Sequence, residues 1–192
     1  MNVEDIKDKW NNRYQVSAPE LVAAEVLNDH LHLLPMSGKA LDLACGLGAN
    51  ARVLARHGLE THAWDLSSVA TEQLQQYAES KGLNLHVMTR DVIERPPQQN
   101  SFNVIVVSSF LDRSLCPALM DALVPGGLLF YQTYSKTKVN EAGPANAEFL
   151  LDDNELLELF APLEKVFYRE EARVGNVMKG FRNQAQLIAQ KP

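Results

Sequence analysis

Cysteine is scarce in this sequence, and its two cysteines form no disulfide or metal-binding pattern. Cys45 and Cys116 are the only ones among 192 residues, and neither belongs to a Cys-x-x-Cys pair or a Cys/His cluster. This argues against a disulfide framework and against a zinc site of the usual spacing. Unpaired cysteines are typical of reducing compartments, so we expect a cytoplasmic protein.

Basic charge and long apolar runs are also lacking. The chain has 18 Lys and Arg residues against 24 Asp and Glu residues, which gives a net charge of -6. This sign is unfavourable for binding phosphate backbones or anionic lipid, so we expect neither nucleic acid nor a membrane as a partner. The longest strongly apolar stretch, residues 104–111, is too short to span a bilayer, and the acidic start of the chain does not resemble a signal peptide.

The composition is otherwise that of an ordinary globular protein. Apolar residues make up 46% of the chain and charged residues 22%, which is enough apolar material for one sizeable core. We therefore predict a single domain over residues 1–192, with a helical cap at residues 1–36 and a core at residues 37–192. A monomer or a homodimer is expected.

Short apolar runs alternate with segments of helical periodicity along the chain. Strands are predicted over residues 40–44, 59–64, 84–88, 102–107, 128–134, 163–169 and 179–189. Helices are predicted over residues 19–34, 49–57, 67–81, 114–123 and 152–160. This alternation predicts an α/β fold whose sheet is mostly parallel with an antiparallel edge. The polar segment 135–147 is longer than a simple connection and is a candidate lid.

The strongest functional signal is a glycine-rich turn after the first core strand. Asp42 and Ala44 lie at the end of that strand, and Gly46 and Gly48 open the helix that follows. Residues without side chains let a ligand approach the backbone, and the free amides at the start of a helix favour negative charge. A Gly-x-Gly turn alone is weak evidence, because a tight strand-to-helix turn without a ligand has the same sequence.

Two further acids follow neighbouring strands. Asp65 ends the second strand, where a carboxylate can accept both hydroxyls of a ribose. Asp91 lies just beyond the third strand, at the same edge of the sheet. Capping of the next helix is the alternative role for Asp65.

Two cofactor classes fit these residues. Gly46-x-Gly48-x-x-Ala51 has the form of a dinucleotide fingerprint, so an NAD-dependent oxidoreductase stays open. Asp42 favours a cationic ligand instead, because an acid beside the turn would repel a pyrophosphate. S-adenosylmethionine (SAM) carries a sulfonium and an ammonium group. A module that binds SAM or a nucleotide without turnover is a further alternative, since no general base stands out.

These features resemble the class I SAM-dependent methyltransferases. Asp42-x-x-x-Gly46-x-Gly48, Asp65, Asp91 and Pro125-Gly126-Gly127 match, in order, that family's glycine-rich motif, ribose-binding acid, adenine-contacting acid and turn before the fifth strand. Within the family, the chain is most similar to the tellurite-resistance methyltransferase group. This closer similarity covers residues 41–74 and the segment that begins Phe149-Leu150-Leu151.

The resemblance implies a Rossmann-like sheet of seven strands in the order 3-2-1-4-5-7-6, with the last strand antiparallel and helices on both faces. It also implies methyl transfer from SAM, with S-adenosylhomocysteine (SAH) as product, to a small molecule such as tellurite, selenite or another soft nucleophile. The cofactor-binding residues that it implies are Asp42, Ala44, Gly46, Gly48, Asn50, Asp65, Leu66, Asp91, Val92 and Ser108, with Arg13 and Tyr14 in an N-terminal segment that covers the cofactor. A helix that merely packs on the sheet is the alternative for that segment.

The acceptor is expected beyond the fourth and fifth strands. Arg113 would clamp an anionic acceptor and Tyr134 would orient or deprotonate one, with Tyr131 bordering the site. An ion pair and plain packing are the alternatives for Arg113 and Tyr134. No metal site is predicted, because none of the histidines has the spacing of metal ligands. The histidines are His30, His32, His57, His62 and His86.

Overall fold

The computed structural model of the chain describes residues 2–16 and 21–192. The strands are β1 (Lys39–Leu43), β2 (Glu60–Asp65), β3 (Leu85–Thr89), β4 (Phe102–Ser108), β5 (Leu123–Tyr134), β6 (Glu164–Glu170) and β7 (Gln184–Gln190). The α-helices are α1 (Val3–Val16), α2 (Glu25–Asn28), α3 (Ala49–His57), α4 (Ser68–Lys81), α5 (Cys116–Ala122) and α6 (Glu155–Leu159).

The seven strands form one sheet in the order β3-β2-β1-β4-β5-β7-β6. Strands β1 to β5 are parallel, whereas β7 runs antiparallel to both β5 and β6. This confirms the predicted fold class and strand order. The chain reverses its direction of travel across the sheet between β1 and β4. In open α/β sheets, ligands bind at the carboxyl ends of the strands at this reversal.

The central strands are buried on both faces, as their continuous apolar sequence predicts. In β4, Val104 and Val106 contact a cluster with α2 and α3, whereas Ile105 and Val107 belong to the cluster on the opposite face with α5 and α6. Alternate residues of a strand point to opposite faces, so one run of four apolar residues supplies both cores. The sheet is therefore rigid where β1 and β4 end.

Helices α3 and α4 begin and end where their sequences predict. Gly58 ends α3 and Gly82 ends α4, both in the left-handed conformation. The Ser67 hydroxyl accepts a hydrogen bond from the Ala70 amide and so caps α4. These local signals are strong because each supplies a backbone conformation or a hydrogen bond that the helix end requires.

The helix predicted over residues 19–34 is wrong. Residues 19 and 20 lie outside the described residues, and the rest forms only the short α2 and a 3-10 turn at Leu31–Leu33. The Ala24 amide donates to Asn50 Oδ1 and the Val26 amide donates to Gln132 Oε1, each at 2.9 Å. Core side chains thus bind amides at the start of this segment, which no local pattern reveals.

Smaller differences between the predicted and the observed elements concern α5, α6 and β5. The helix predicted over residues 114–123 divides into a 3-10 turn at Arg113–Leu115 and α5, and α6 is shorter than predicted. Strand β5 already begins at Leu123, and its pairing with β4 shifts register between Phe102 and Val104. The Pro125-Gly126-Gly127 segment therefore lies at an irregularity within β5 and not before the strand. Across residues 2–16 and 21–192, no helix has the length and apolar character needed to cross a membrane.

Gly48 offers a test of how tightly α3 packs on α4. An alanine Cβ at Gly48 would lie 2.5 Å from Cδ1 of the buried Leu74, and φ there is +75°. At Gly82, φ is +59° and an added Cβ would meet nothing within 4 Å. We expect Gly48→Ala to lower the free energy of unfolding by about 2–4 kcal/mol and Gly82→Ala by about 1–2 kcal/mol, measured by urea denaturation. Equal losses in the two variants would contradict this packing.

Candidate active site

The turn between β1 and α3 has an unusual backbone. Ala44, Gly46 and Gly48 all have left-handed conformations, with φ of 54°, 51° and 75°. Ser109, directly after β4, also has φ of 54°. Such a conformation costs about 1–2 kcal/mol in a residue with a side chain, and strained residues cluster at functional sites. Ala44 and Ser109 place this strain at the carboxyl ends of the two central strands.

Asp42 is fully buried at the end of β1 and is held by α3. One carboxylate oxygen accepts a hydrogen bond from the Ala51 amide at 2.9 Å, and the other accepts one from Asn50 Nδ2 at 3.3 Å. Burial raises the pKa of Asp42 to about 7, against the opposing effect of these two hydrogen bonds, and the charge of Asp65 raises it further. A cation bound nearby would favour the ionised form.

Asp65 joins the glycine-rich turn to the start of α4. Its carboxylate accepts hydrogen bonds from the Gly46 amide at 2.7 Å and from the Ser67 amide at 2.8 Å, and its exposed fraction is 8%. Burial raises the pKa of Asp65. Because Ser67 is the residue that caps α4, Asp65 does not have the capping role that was the alternative for it.

Among residues 2–16 and 21–192, neither Asp42 nor Asp65 forms an ion pair. The ion pairs of Lys and Arg in this part of the chain all involve other acids. When they are ionised, Asp42 and Asp65 therefore give the edge of the sheet a negative potential that no ion pair with these residues neutralises. A pyrophosphate would be repelled here, and a sulfonium or an ammonium group would be attracted.

Asn50 connects the two central strands. Its Nδ2 donates to Ser108 Oγ at 2.9 Å, in addition to Asp42, and its Oδ1 accepts from the Ala24 amide. The structure therefore brings Asn50 and Ser108, both predicted site residues, to the same point between β1 and β4. Gln132, which binds the Val26 amide, was missed because a strand glutamine carries no distinctive signal.

Helix α1 lies over the glycine-rich turn. Asn11 Oδ1 accepts a hydrogen bond from Ser67 Oγ at 2.7 Å, which ties α1 to the start of α4. The Tyr14 hydroxyl lies so close to Gly46 that a Cβ at Gly46 would be 2.6 Å from it. Burial raises the pKa of Tyr14, and the charge of Asp65 adds to this. Arg13 is exposed, and its guanidinium lies 5.2 Å from the Trp10 ring centroid.

The remaining predicted cofactor residues lie at the same edge with mixed roles. Asp91 follows β3 and accepts hydrogen bonds from the Ile93 and Glu94 amides at 2.9 and 3.1 Å, so it caps its own turn. Val92 is buried in the core cluster that contains Trp64, and Leu66 is half-buried. The side chain of Val92 therefore contributes packing and not a polar contact.

The guanidinium of Arg113 is engaged within the protein, which favours the ion-pair alternative over an acceptor clamp. Its Nε and Nη2 donate to the two carboxylate oxygens of Glu155 at 2.5 and 2.8 Å. Its Nη1 and Nη2 also donate to the carbonyls of Glu148 and Leu150 at 2.7 and 3.0 Å. Arg113 thus ties the segment before α5 to α6 and to the loop before it.

The two tyrosines of β5 differ in their surroundings. Tyr131 is 1% exposed, and its hydroxyl donates to the Phe110 carbonyl at 3.0 Å, so it belongs to the core and does not border an acceptor. Tyr134 is half-buried, and Gly143 packs against its ring so closely that no side chain would fit there. The loop 135–147 is anchored by the Val139 amide, which donates to Asn183 Oδ1 at 2.7 Å. Whether Tyr134 orients an acceptor, and whether this loop is a lid, stay predictions.

The structural role of Arg113 can be tested by substitution. Arg113→Lys keeps the charge but loses the two-point contact with Glu155 and the carbonyl bonds. We expect it to lower the free energy of unfolding by about 1–3 kcal/mol. Lys136→Met removes an exposed ion pair with Asp152 and should cost less than about 1 kcal/mol. An Arg113→Lys chain as stable as the parent in urea would contradict the role.

The raised pKa of Asp42 predicts a pH dependence of stability. The folded chain keeps the Asp42 proton up to about pH 7, whereas the unfolded chain releases it near 3.8. The free energy of unfolding should therefore fall by about 2–4 kcal/mol between pH 4 and pH 7 and then level off. Asp42→Asn should reduce this slope in urea denaturation series and leave the part that the raised pKa of Asp65 contributes, whereas Asp29→Asn, an exposed control, should keep the whole slope. An unchanged slope in Asp42→Asn would refute the assignment.

The known proteins with similar sequences are named as methyltransferases. Residues 40–127 match a family model described as a methyltransferase domain. A ubiquinone biosynthesis O-methyltransferase of Coxiella burnetii is 26% identical over 136 residues, which are 68% of this chain and 58% of that protein. A probable SAM-dependent methyltransferase, TehB of Haemophilus influenzae, is 28% identical over 171 residues, which are 85% of this chain and 57% of that protein. The chain thus spans less than three fifths of these curated relatives.

Solved structures share the fold. The crystal structure of TehB from Haemophilus influenzae has a TM-score of 0.73 at 22% identity and covers 97% of this chain and 67% of that one. A geranyl diphosphate C-methyltransferase from Streptomyces coelicolor A3(2), solved with SAH, has a TM-score of 0.73 at 16% identity and covers 99% and 98%. The predicted resemblance is confirmed: residues 40–127 match the model of a methyltransferase domain, and the chain is similar to the class I SAM-dependent methyltransferases, with TehB among its relatives.

Proposed function

We propose that this chain is a SAM-dependent methyltransferase that acts on a small-molecule acceptor and releases SAH. One observation carries the proposal: the carboxyl groups of Asp42 and Asp65 are buried beside a glycine-rich turn, at the reversal point of the sheet, and form no ion pair with the residues that the structure describes. A cationic ligand supplies the missing positive charge. The curated relatives with methyltransferase names support the same assignment.

The residues around the turn fit SAM better than NAD. Gly46 and Gly48 provide backbone without side chains, and Asp65 has a carboxylate at the end of β2 to accept ribose hydroxyls. Asp42 and Asn50 lie where the charged methionine end would need them. An NAD-dependent oxidoreductase would require the same edge to accept a pyrophosphate next to two acids, so the geometry disfavours that alternative.

The residues of the chain position the reactants and exclude water from the site. SAM, when bound, supplies a methyl group already activated on a sulfonium, so no catalytic triad is needed. Tyr14 covers Gly46, and α1 is tied to α4 through Asn11, which shields the turn from water. Ser108 and Ser109, at the end of β4, lie on the side from which an acceptor would approach.

The acceptor is proposed to be a soft, uncharged or weakly charged nucleophile such as a thiol. Arg113, which was predicted to clamp an anion, binds Glu155, and the two lysines of the loop 135–147 are engaged as well: Lys136 binds Asp152 and Lys138 binds the Pro144 carbonyl. This reduces the support for an oxyanion such as tellurite. The net charge of -6 disfavours nucleic acid.

A cytoplasmic location belongs to the same proposal. Cys45 and Cys116 are both free and buried. Burial raises the pKa of Cys116 to about 12, so this thiol is a poor nucleophile at neutral pH. The two cysteines are thus compatible with a reducing compartment and take no part in the reaction.

The proposal is tested by cofactor binding and by methyl transfer. Calorimetry should show binding of SAM and SAH and no binding of NAD. Asp65→Ala should weaken SAM binding by about 1–3 kcal/mol, because charge-assisted hydrogen bonds are lost, and Asp29→Asn should leave it unchanged. Unchanged affinity in Asp65→Ala would remove Asp65 from the site.

Turnover is measured with methyl-labelled SAM and a panel of thiols, tellurite, selenite and small metabolites. We expect label in a thiol product together with SAH. Binding of SAM without transfer to any acceptor would favour a non-catalytic module, and binding of NAD in place of SAM would overturn the proposal.

A further inference from the structure

One face of the sheet edge formed by β2 and β3 is open. The connection from β3 to β4, residues 90–101, forms turns and no helix, so no helix of this connection covers that face. The side chains there come from alternate residues of β2 and from β3, where His62 lies directly opposite His86. Glu60, two residues before His62, points to the same face.

These three side chains converge. His62 Nε2 lies 3.4 Å and His86 Nε2 lies 4.0 Å from the same oxygen, Glu60 Oε1. One ligand atom from each residue lies within 4.8 Å of the others. In a tetrahedral zinc site with bonds of about 2.0–2.1 Å, neighbouring ligand atoms are about 3.3 Å apart. The two distances to Glu60 Oε1 exceed that spacing by less than about 1 Å.

The two imidazole rings are held in place by packing. The rings of His62 and His86 stack with centroids 4.9 Å apart. His62 also packs edge-on against Phe102, with centroids 5.5 Å apart. This reduces the conformational entropy that an ion would otherwise have to overcome to order the ligands. The strand pairing fixes the backbone of all three residues.

We propose that Glu60, His62 and His86 form a binding site for a divalent transition-metal ion such as Zn²⁺. Two imidazoles and one carboxylate suit Zn²⁺, Co²⁺, Ni²⁺ or Cu²⁺, whereas Mg²⁺ and Ca²⁺ prefer oxygen ligands alone. Three protein ligands leave a coordination position for water. The ion would join β2 to the edge strand β3.

This site is separate from the proposed cofactor site. Glu60 is the first residue of β2 and Asp65 is the last, with His62 between them, so these two ligands lie about 16 Å and about 10 Å from Asp65 along the strand. Residue spacing alone does not predict this metal site, because the histidines lie on different strands and only the register of β2 with β3 brings them together.

Lys39 is the natural competitor for this site. Its Nζ lies 3.3 Å from Glu60 Oε1, the oxygen on which the two imidazoles converge. The lysine side chain is half-exposed and can turn away into solvent. Its charge nevertheless opposes a bound cation, so removal of Lys39 should tighten metal binding.

The test uses the full chain without a histidine tag, freed of metal by a chelator that is then removed. We expect Zn²⁺ to bind with one-to-one stoichiometry in calorimetry, and Mg²⁺ not to bind. Zinc at a hundredfold excess over Kd should raise Tm by about 5–10 °C. Absence of zinc binding at millimolar concentration would overturn the proposal.

Three variants locate the ion. His86→Gln, which changes an exposed ligand, should weaken zinc binding at least about tenfold. His32→Gln, a control at an exposed histidine outside the cluster, should leave it unchanged, and Lys39→Met should tighten it several-fold. Equal affinity in His86→Gln and the parent, loss of binding in His32→Gln, or weaker binding in Lys39→Met would each contradict the site. SAM binding serves as a readout of folding and should be the same in all three variants.

Discussion

Burying a carboxylate requires that its oxygens find hydrogen-bond donors, and the cleft at the ends of β1 and β2 is arranged around this requirement. The amides of Ala51, Gly46 and Ser67 supply the donors. Each amide is available only because the chain turns sharply from strand to helix. The buried acids therefore depend on the left-handed glycines and on the helix starts that supply their donors. A cationic ligand would neutralise the negative charge that remains.

The sequence predicts the parts of the fold that depend on local chemistry. The serine cap of α4, the glycines that end α3 and α4, and the apolar run of β4 specify their elements without help from the rest of the chain. The segment 21–34 does not form the helix that its periodicity predicts, because its amides bind Asn50 and Gln132, which lie far away in the sequence. Such long-range hydrogen bonds override helical periodicity.

The site is predictable to a similar extent. Parallel strands bring together the glycine-rich turn, Asp42 and Asp65, because all three lie at the carboxyl ends of β1 and β2. Arg113 could not be assigned from sequence, since its role depends on Glu155, which reaches it only through the packing of α6. The pairing of His62 with His86 depends likewise on strand register. Charged side chains acquire their roles from partners that the sequence does not identify.

Fold similarity alone does not define the reaction. The relatives include a protein named as a ubiquinone biosynthesis O-methyltransferase, and the structures of similar fold include a geranyl diphosphate C-methyltransferase. Function lies in the site built on the fold. In this chain the proposed cofactor half of the site is built from buried groups, and the proposed acceptor half adjoins a loop whose lysines are already bonded within the protein.

The proton balance of SAM binding tests the central claim most directly. At pH 6 most of the Asp42 carboxyl should be protonated, since burial raises its pKa to about 7, and a bound cation should ionise it. Calorimetry in buffers of different ionisation enthalpy should then show release of up to about one proton per SAM at pH 6 and much less at pH 8.5. Binding of SAM at pH 6 without proton release, or with the same release in Asp42→Asn, would contradict the account.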